Sequence, residues 1–298
     1  MKRYSILLGL LLSLAFGQIT DWRKQFEACH ADTSCFVVLD KLAEYYSVRE
    51  ADSCKFFALY GLDLAESYKR PFWKGVFHYQ LAVAAHNGEE DFESSVLHCR
   101  KALTNLHASK DIKSMHAFLP NIYVWMGISF KRMEKADSAI FYFNHYERSL
   151  LQAGMEEKLW EVSRAKASFY YDYGEYDLAT QYAEKAYQGA TSNPNVPRSQ
   201  VGYILFLASN ASLRAGNVPL YTLNVERLTD FYQNQEQALN LDQDAPMHSA
   251  MLVLVSDIDV THTIREAMLS YAKASNHLHA AIHGGNLISA YVKMGKIA

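Results

Sequence analysis

The sequence predicts an all-α protein, an α-solenoid of antiparallel helix pairs, and three observations predict it. A unit of about 41 residues recurs from end to end. Apolar residues keep helical spacing, with only 6 prolines and no alternating strand pattern. Small side chains recur in register on one face of successive helices. The repeat is plainest at its turns, centred near Val48, Glu90, Glu134, Gly174, Gly216, Asp257 and Gly295, at intervals of 42, 44, 40, 42, 41 and 38. Two units even share a spelled start, Ala51-Asp52-Ser53-Cys54 and Ala136-Asp137-Ser138-Ala139, 85 residues apart. A fixed period in this range marks stacked units that bury their apolar faces only against neighbours.

Residues 1–17 read as a secretory signal peptide. Lys2 and Arg3 give a basic start, Ile6 to Phe16 is apolar, and Ala15-Phe16-Gly17 has small residues at the cleavage positions. An apolar run of about 11 residues falls short of the roughly 20 that span a bilayer, and no later segment reaches that length. The product is expected to be exported, periplasmic or secreted, with one solenoid filling 18–298. Without the leader it carries 27 basic and 32 acidic side chains. That balance offers no basic field for nucleic acid.

The first helices of the pairs are expected near Phe36–Tyr46, Trp73–His86, Asn121–Met133, Glu161–Tyr173, Gln200–Ala215, Met247–Ser256 and His279–Met294. The second helices are expected near Asp52–Tyr68, Phe92–Ala108, Asp137–Ala153, Tyr176–Ala190, Pro219–Ala238 and Val260–Ser275. Aligning the second helices puts Cys54, Ser95, Ala139 and Ala179 in one column. Ala58, Cys99, Phe143 and Ala183 follow four residues on, and Gly61, Ala102, Tyr146 and Ala186 three beyond those. Small residues at this spacing let the two helices of a pair approach closely. Pro219 falls in a first turn, where its missing N–H costs nothing. The count is about six pairs plus one unpaired C-terminal helix, stopping at the turn near Gly295. Either that helix is itself a cap, or the chain continues beyond Ala298; the missing polar cap favours continuation.

The segment Tyr170-Tyr171-Asp172-Tyr173-Gly174-Glu175-Tyr176-Asp177-Leu178-Ala179, with Ala183 and Ala186, resembles the tetratricopeptide repeat (TPR). Gly127, Phe130, Ala139 and Phe143 place a second unit on the same template, and Gly216 and Tyr291 with Gly295 match it more weakly. The period is longer than the family's usual 34 residues, and the closing proline is absent. The chain is therefore similar to the long-helix variant of exported bacterial proteins. The resemblance implies a right-handed superhelix whose first helices line a groove for a protein or peptide. Carried over by column, the groove residues are Asn121, Val124, Ile128 and Arg132, then Arg164, Ser168, Tyr171 and Asp172, then Tyr203, Phe206, Asn210 and Arg214. Asn and Arg there suit a peptide backbone or a carboxylate.

No Gly-rich phosphate loop, nucleophile elbow or nucleophile–base set is present, so neither catalysis nor a cofactor is expected. His277, His279 and His283 lack the partners of a zinc peptidase and read as a solvated helix start, so no metal is expected. An exported chain can oxidise its cysteines. A Cys29–Cys35 disulfide is one option and free thiols the other, whereas Cys54 and Cys99 occupy helical core positions. Two roles stay open. One is a non-enzymatic interaction scaffold; the other is the extracytoplasmic sensor region of a histidine kinase or DNA-binding regulator whose C-terminal part lies beyond Ala298.

Overall fold

The structure, a computed structural model, describes residues 19–233 apart from 30–32 and 48. The expected signal peptide, the turn expected at Val48, the helices and turns expected beyond 233 and the His277–His283 cluster lie outside the described residues. Those described are all-helical. They run α1 (19–28), α2 (Cys35–Tyr46), α3 (Ala51–Ser67), α4 (Pro71–Glu89), α5 (Phe92–His107), α6 (Ile112–Arg132) and α7 (Ala136–Ala153). After a 3-10 turn at Glu156–Lys158 come α8 (Leu159–Asp172), α9 (Tyr176–Thr191), α10 (Arg198–Arg214) and α11 (Val218–Gln233). The chain divides into two compact units, one ending at Glu156 and the other starting at Glu157.

Reversal of the chain rests on left-handed residues. Four of the expected turn centres have positive φ: Glu90 (51°), Glu134 (58°), Gly174 (79°) and Gly216 (71°). Lys69 (52°) and Gly154 (68°) do the same between pairs. At Glu134 the N–H of Lys135 reaches back to Phe130 O (2.9 Å) and that of Glu134 to Lys131 O (3.0 Å). The same two-bond closure recurs at Lys69, Gly154, Gly174 and Gly216. These bonds satisfy carbonyls that a helix end leaves open and stop the helix at a fixed angle. Within each unit, from α2 to α7 and from α8 to α11, each helix packs antiparallel on its successor.

Burial follows the columns. All twelve column residues, from Cys54 through Ala186, are buried. Gly127 shows why small residues are needed: a Cβ there would stand 2.5 Å from Phe143 Cε1. A Cβ on Gly61 would overlap the Phe77 ring. In the first unit α4 also touches both α2 and α6, and in the second unit α8 touches α10. First helices thus form a layer of their own within each unit.

Two features depart from the expected boundaries. A helix precedes the first pair: α1 lays Ile19, Trp22 and Phe26 on the core of α2, α3 and α4, with the Phe26 ring 5.5 Å from Phe57 and 5.6 Å from Tyr60. It covers the apolar face that an array leaves open at its start. The third first helix begins at Ile112 rather than Asn121, because the Asp111 carboxylate accepts from Ser114 N–H (3.0 Å) and caps it there. Pro120 is consequently inside α6 and buried, unable to donate to the His116 carbonyl.

Cys29 is half-buried and Cys35, Cys54 and Cys99 are buried, and no disulfide joins Cys29 to Cys35. Burial pushes Cys54 and Cys99 up to about 12, which keeps them as unreactive core residues.

Gly174→Ala is expected to cost about 1 kcal/mol, since the space around it is open and only the left-handed backbone is strained. Gly127→Ala is expected to cost about 1–3 kcal/mol through overlap with Phe143. Urea-unfolding midpoints read both, and an unchanged midpoint for Gly174→Ala would show that the turn does not hold the chain.

Candidate functional site

The layer of first helices carries an unusual polar and aromatic seam. On α4, Phe72, Tyr79 and His86 recur every seven residues; on α6, Phe118, Trp125 and Arg132 do the same. Each α4 member has its α6 counterpart 46 residues on. A constant offset means that the two helices run parallel, as alternate members of an antiparallel array must. Side chains seven apart share one helix face, so the two rows meet. The Phe72 and Phe118 rings lie 6.1 Å apart, edge to face, and Tyr79 and Phe118 5.2 Å apart. Trp125 Nε1 donates to the Tyr79 hydroxyl at 3.2 Å. The His86 ring stands 5.0 Å from Trp125 and 4.9 Å from Phe92 of α5. Arg132 closes the row, its guanidinium 5.3 Å from the Phe92 centroid.

Hydrogen bonds thread this seam into the core. His86 Nδ1 meets Ser129 Oγ at 3.0 Å, and the Ser129 hydroxyl donates to Ser95 Oγ of α5 at 3.1 Å. Burial, and secondarily the Arg132 charge, holds His86 down at about 4. A comparable link joins α2 to α4: Gln80 Nε2 donates to Asp40 Oδ1 at 2.7 Å, and Asn87 Nδ2 to Ser47 O at 3.3 Å. Burial raises the Asp40 carboxyl to about 6 despite the Gln80 bond.

The twelve groove residues from the sequence divide between the two units. On α6, Asn121 and Arg132 are exposed and Val124 and Ile128 half-buried. In the second unit, Arg164, Ser168, Tyr171, Tyr203, Phe206 and Asn210 are half-buried, while Asp172 and Arg214 are exposed. Arg164 and Tyr203 come together, the guanidinium 5.7 Å from the ring centroid. Arg164 Nε is buried there without a hydrogen-bond partner. Other positions are taken up by packing. Tyr171 lies on the cluster of Ala167, Ala183, Leu207 and Ala208, and Phe206 on Leu205 and Leu228. Asn210 Nδ2 is occupied by Phe206 O at 2.9 Å.

Sequence reasoning did not single out Tyr79, His86, Trp125 or Ser129. The seven-residue spacing of large polar aromatics on two first helices is the signal that identifies them. Chemically the seam offers ring faces, a cation and neutral donors, which suit binding. Among the described residues no group of three His, Cys, Asp or Glu could hold a metal ion, and no helix is long and apolar enough to cross a membrane.

No family model matches the chain, and no curated protein matches it. Among solved structures the chain is similar to BtubC (BKLC) from P. vanneervenii, a helical protein. The identity is 16% and the TM-score 0.54, over 84% of this chain and 94% of BtubC. At that identity the likeness is one of fold. The class defined by fold and seam together is an all-helical, repeat-like array of packed consecutive helices.

Titration is expected to find His86 neutral down to about pH 4. The unfolded imidazole protonates near 6.5, so stability from this group is present above that pH and is lost as pH falls toward 4. Arg132→Gln is expected to raise the His86 midpoint in an NMR titration. A midpoint unmoved by that change would show that Arg132 does not act on the ring.

Proposed function

We propose that the chain is a non-enzymatic, exported interaction scaffold of TPR-like repeats. Its helix pairs continue as a right-handed superhelix, and the layer of first helices takes up a segment of a protein or peptide. The observation that carries this reading is the state of the groove columns. None of the twelve positions is buried, and two of their arginines, Arg132 and Arg164, are held over aromatic rings rather than paired with carboxylates. Stacking on a ring limits a guanidinium's rotamers while leaving donors for a carboxylate or a peptide carbonyl. Positioned in this way, the arginines lose little freedom when a ligand binds. The fold shared with BtubC supports an all-helical array and is silent on the ligand.

Selection of a displayed peptide library on the full chain tests this reading. A recurring peptide motif is expected, bound at least ten-fold more weakly by the Arg132→Gln, Arg164→Gln, Arg214→Gln triple variant with its helical circular dichroism intact. Absence of any enriched motif, or equal affinity in the folded triple variant, would overturn it.

A further inference from the structure

A second surface lies away from the groove columns, where the chain passes from one pair to the next. The α3–α4 turn and the α5–α6 turn come side by side and enclose a cleft of about 540 Å³. Lys69, Arg70, Pro71, Phe72 and Trp73 line it from one turn, and Ala108, Ser109, Lys110 and Asp111 from the other. Phe72 and Trp73 are half-buried and form its apolar wall, their rings 5.5 Å apart and edge to face. Lys69, Arg70 and Lys110 are exposed at its edge, and none forms an ion pair among the described residues. The nearby Lys74 differs, being paired with Glu66. Asp111 is the one acid in the lining, and its carboxylate is engaged by the Ser114 N–H at the start of α6.

We propose that this cleft binds an anionic ligand, a carboxylate or phosphate carried on an apolar or aromatic body. The charge follows from three unpaired cations around one concavity, whose fields add there. The body follows from Phe72 and Trp73, which leave an apolar surface between the cations. The helix entering the cleft adds to the same field. Pro71 opens α4, Arg70 gives it no side-chain cap, and its first turn has no acid. An anion is what the positive end of a helix dipole attracts, and here the side chains around it are cationic instead. The lysine at left-handed residue 69 fits this picture. The reversals at 154, 174 and 216 use glycine and those at 90 and 134 glutamate, so among the described residues Lys69 is the one left-handed position that carries a cation.

Calorimetric titration of the full chain with phenyl phosphate, phenylacetate, inorganic phosphate and benzyl alcohol tests the site. At least one of the two aromatic anions is expected to bind saturably at one per chain, ten-fold or more tighter than inorganic phosphate, while benzyl alcohol does not bind. The tighter of the two tells phosphate from carboxylate. Lys69→Gln, Arg70→Gln and Lys110→Gln combined should lower affinity at least ten-fold. Asp111→Asn, which keeps a capping side chain on α6, should raise it. Arg70→Gln alone gives a second reading should the triple variant lose its helical dichroism. No saturable binding of either aromatic anion, equal binding of inorganic phosphate or benzyl alcohol, or unchanged affinity in folded Arg70→Gln would overturn the proposal.

Discussion

Much of the described architecture follows from stopping a helix at a left-handed residue, as at the ends of α3, α6, α8 and α10. One residue at positive φ, with a backbone bond reaching back five residues, ends a helix in a fixed direction within a single turn. A reversal that short allows a helix and its successor only one arrangement, side by side and antiparallel. Repeated, it places every second helix in the same orientation, so α2, α4 and α6 become parallel neighbours. Close packing within pairs then needs small residues. Gly127 under Phe143 and the fully buried Ala139, Ala179 and Ala183 are the consequence.

This hierarchy explains what the sequence revealed. Turns were legible because their residues obey local rules: Gly174 and Gly216 mark positive φ by themselves, and Glu90 and Glu134 were found by their place in the period. The second-helix columns were legible because a fully buried position tolerates few side chains. The first-helix seam was harder to read. Tyr79, His86 and Trp125 are half-buried, where many side chains fit, and their partners lie 43 or 46 residues away. The offset between α4 and α6 follows from the length of α6, and its start at Ile112 was hidden behind Pro120. Proline usually opens or breaks a helix; here the Asp111 cap starts α6 nine residues sooner, and the helix runs through it. Likewise α1 has no place in a count based on turns, because it belongs to no pair.

The seam also shows how a repeat can carry polar groups in a tightly packed layer. A buried hydroxyl or imidazole without a partner costs a few kcal/mol, so each must be matched. The relay from His86 through Ser129 to Ser95 does this across three helices, and Trp125 to Tyr79 does it across two. Such bonds specify register, since a slip by one turn would orphan several groups together. Apolar contacts between α4 and α6 alone would tolerate that slip far better. In the second unit Arg164 Nε over Tyr203 and Thr180 Oγ1 on α9 are buried without a partner, and Arg164 marks the place where the first-helix layer is least satisfied by its own chain.

Charge on α4 runs against its own dipole. Lys69 and Arg70 stand at its start and Glu89 and Glu90 at its end, whereas acids at the start and bases at the end are the stabilising order. The end of α4 is partly relieved by the Lys55–Glu89 ion pair. Its start has no equivalent: Glu66 is engaged by Lys74, and Asp111 caps α6. Packing does not require this order, because these side chains are exposed and an acid would fit the same turn. Each misplaced charge works against the fold by about 0.3–1 kcal/mol at low ionic strength. That is small beside the apolar burial of Phe36, Phe77 and Leu106 around α4, so the fold tolerates a cationic helix start. What the fold tolerates there is an unneutralised positive cleft, and neutralising it with an anion from solution would relieve the helix and fill the cleft in the same event.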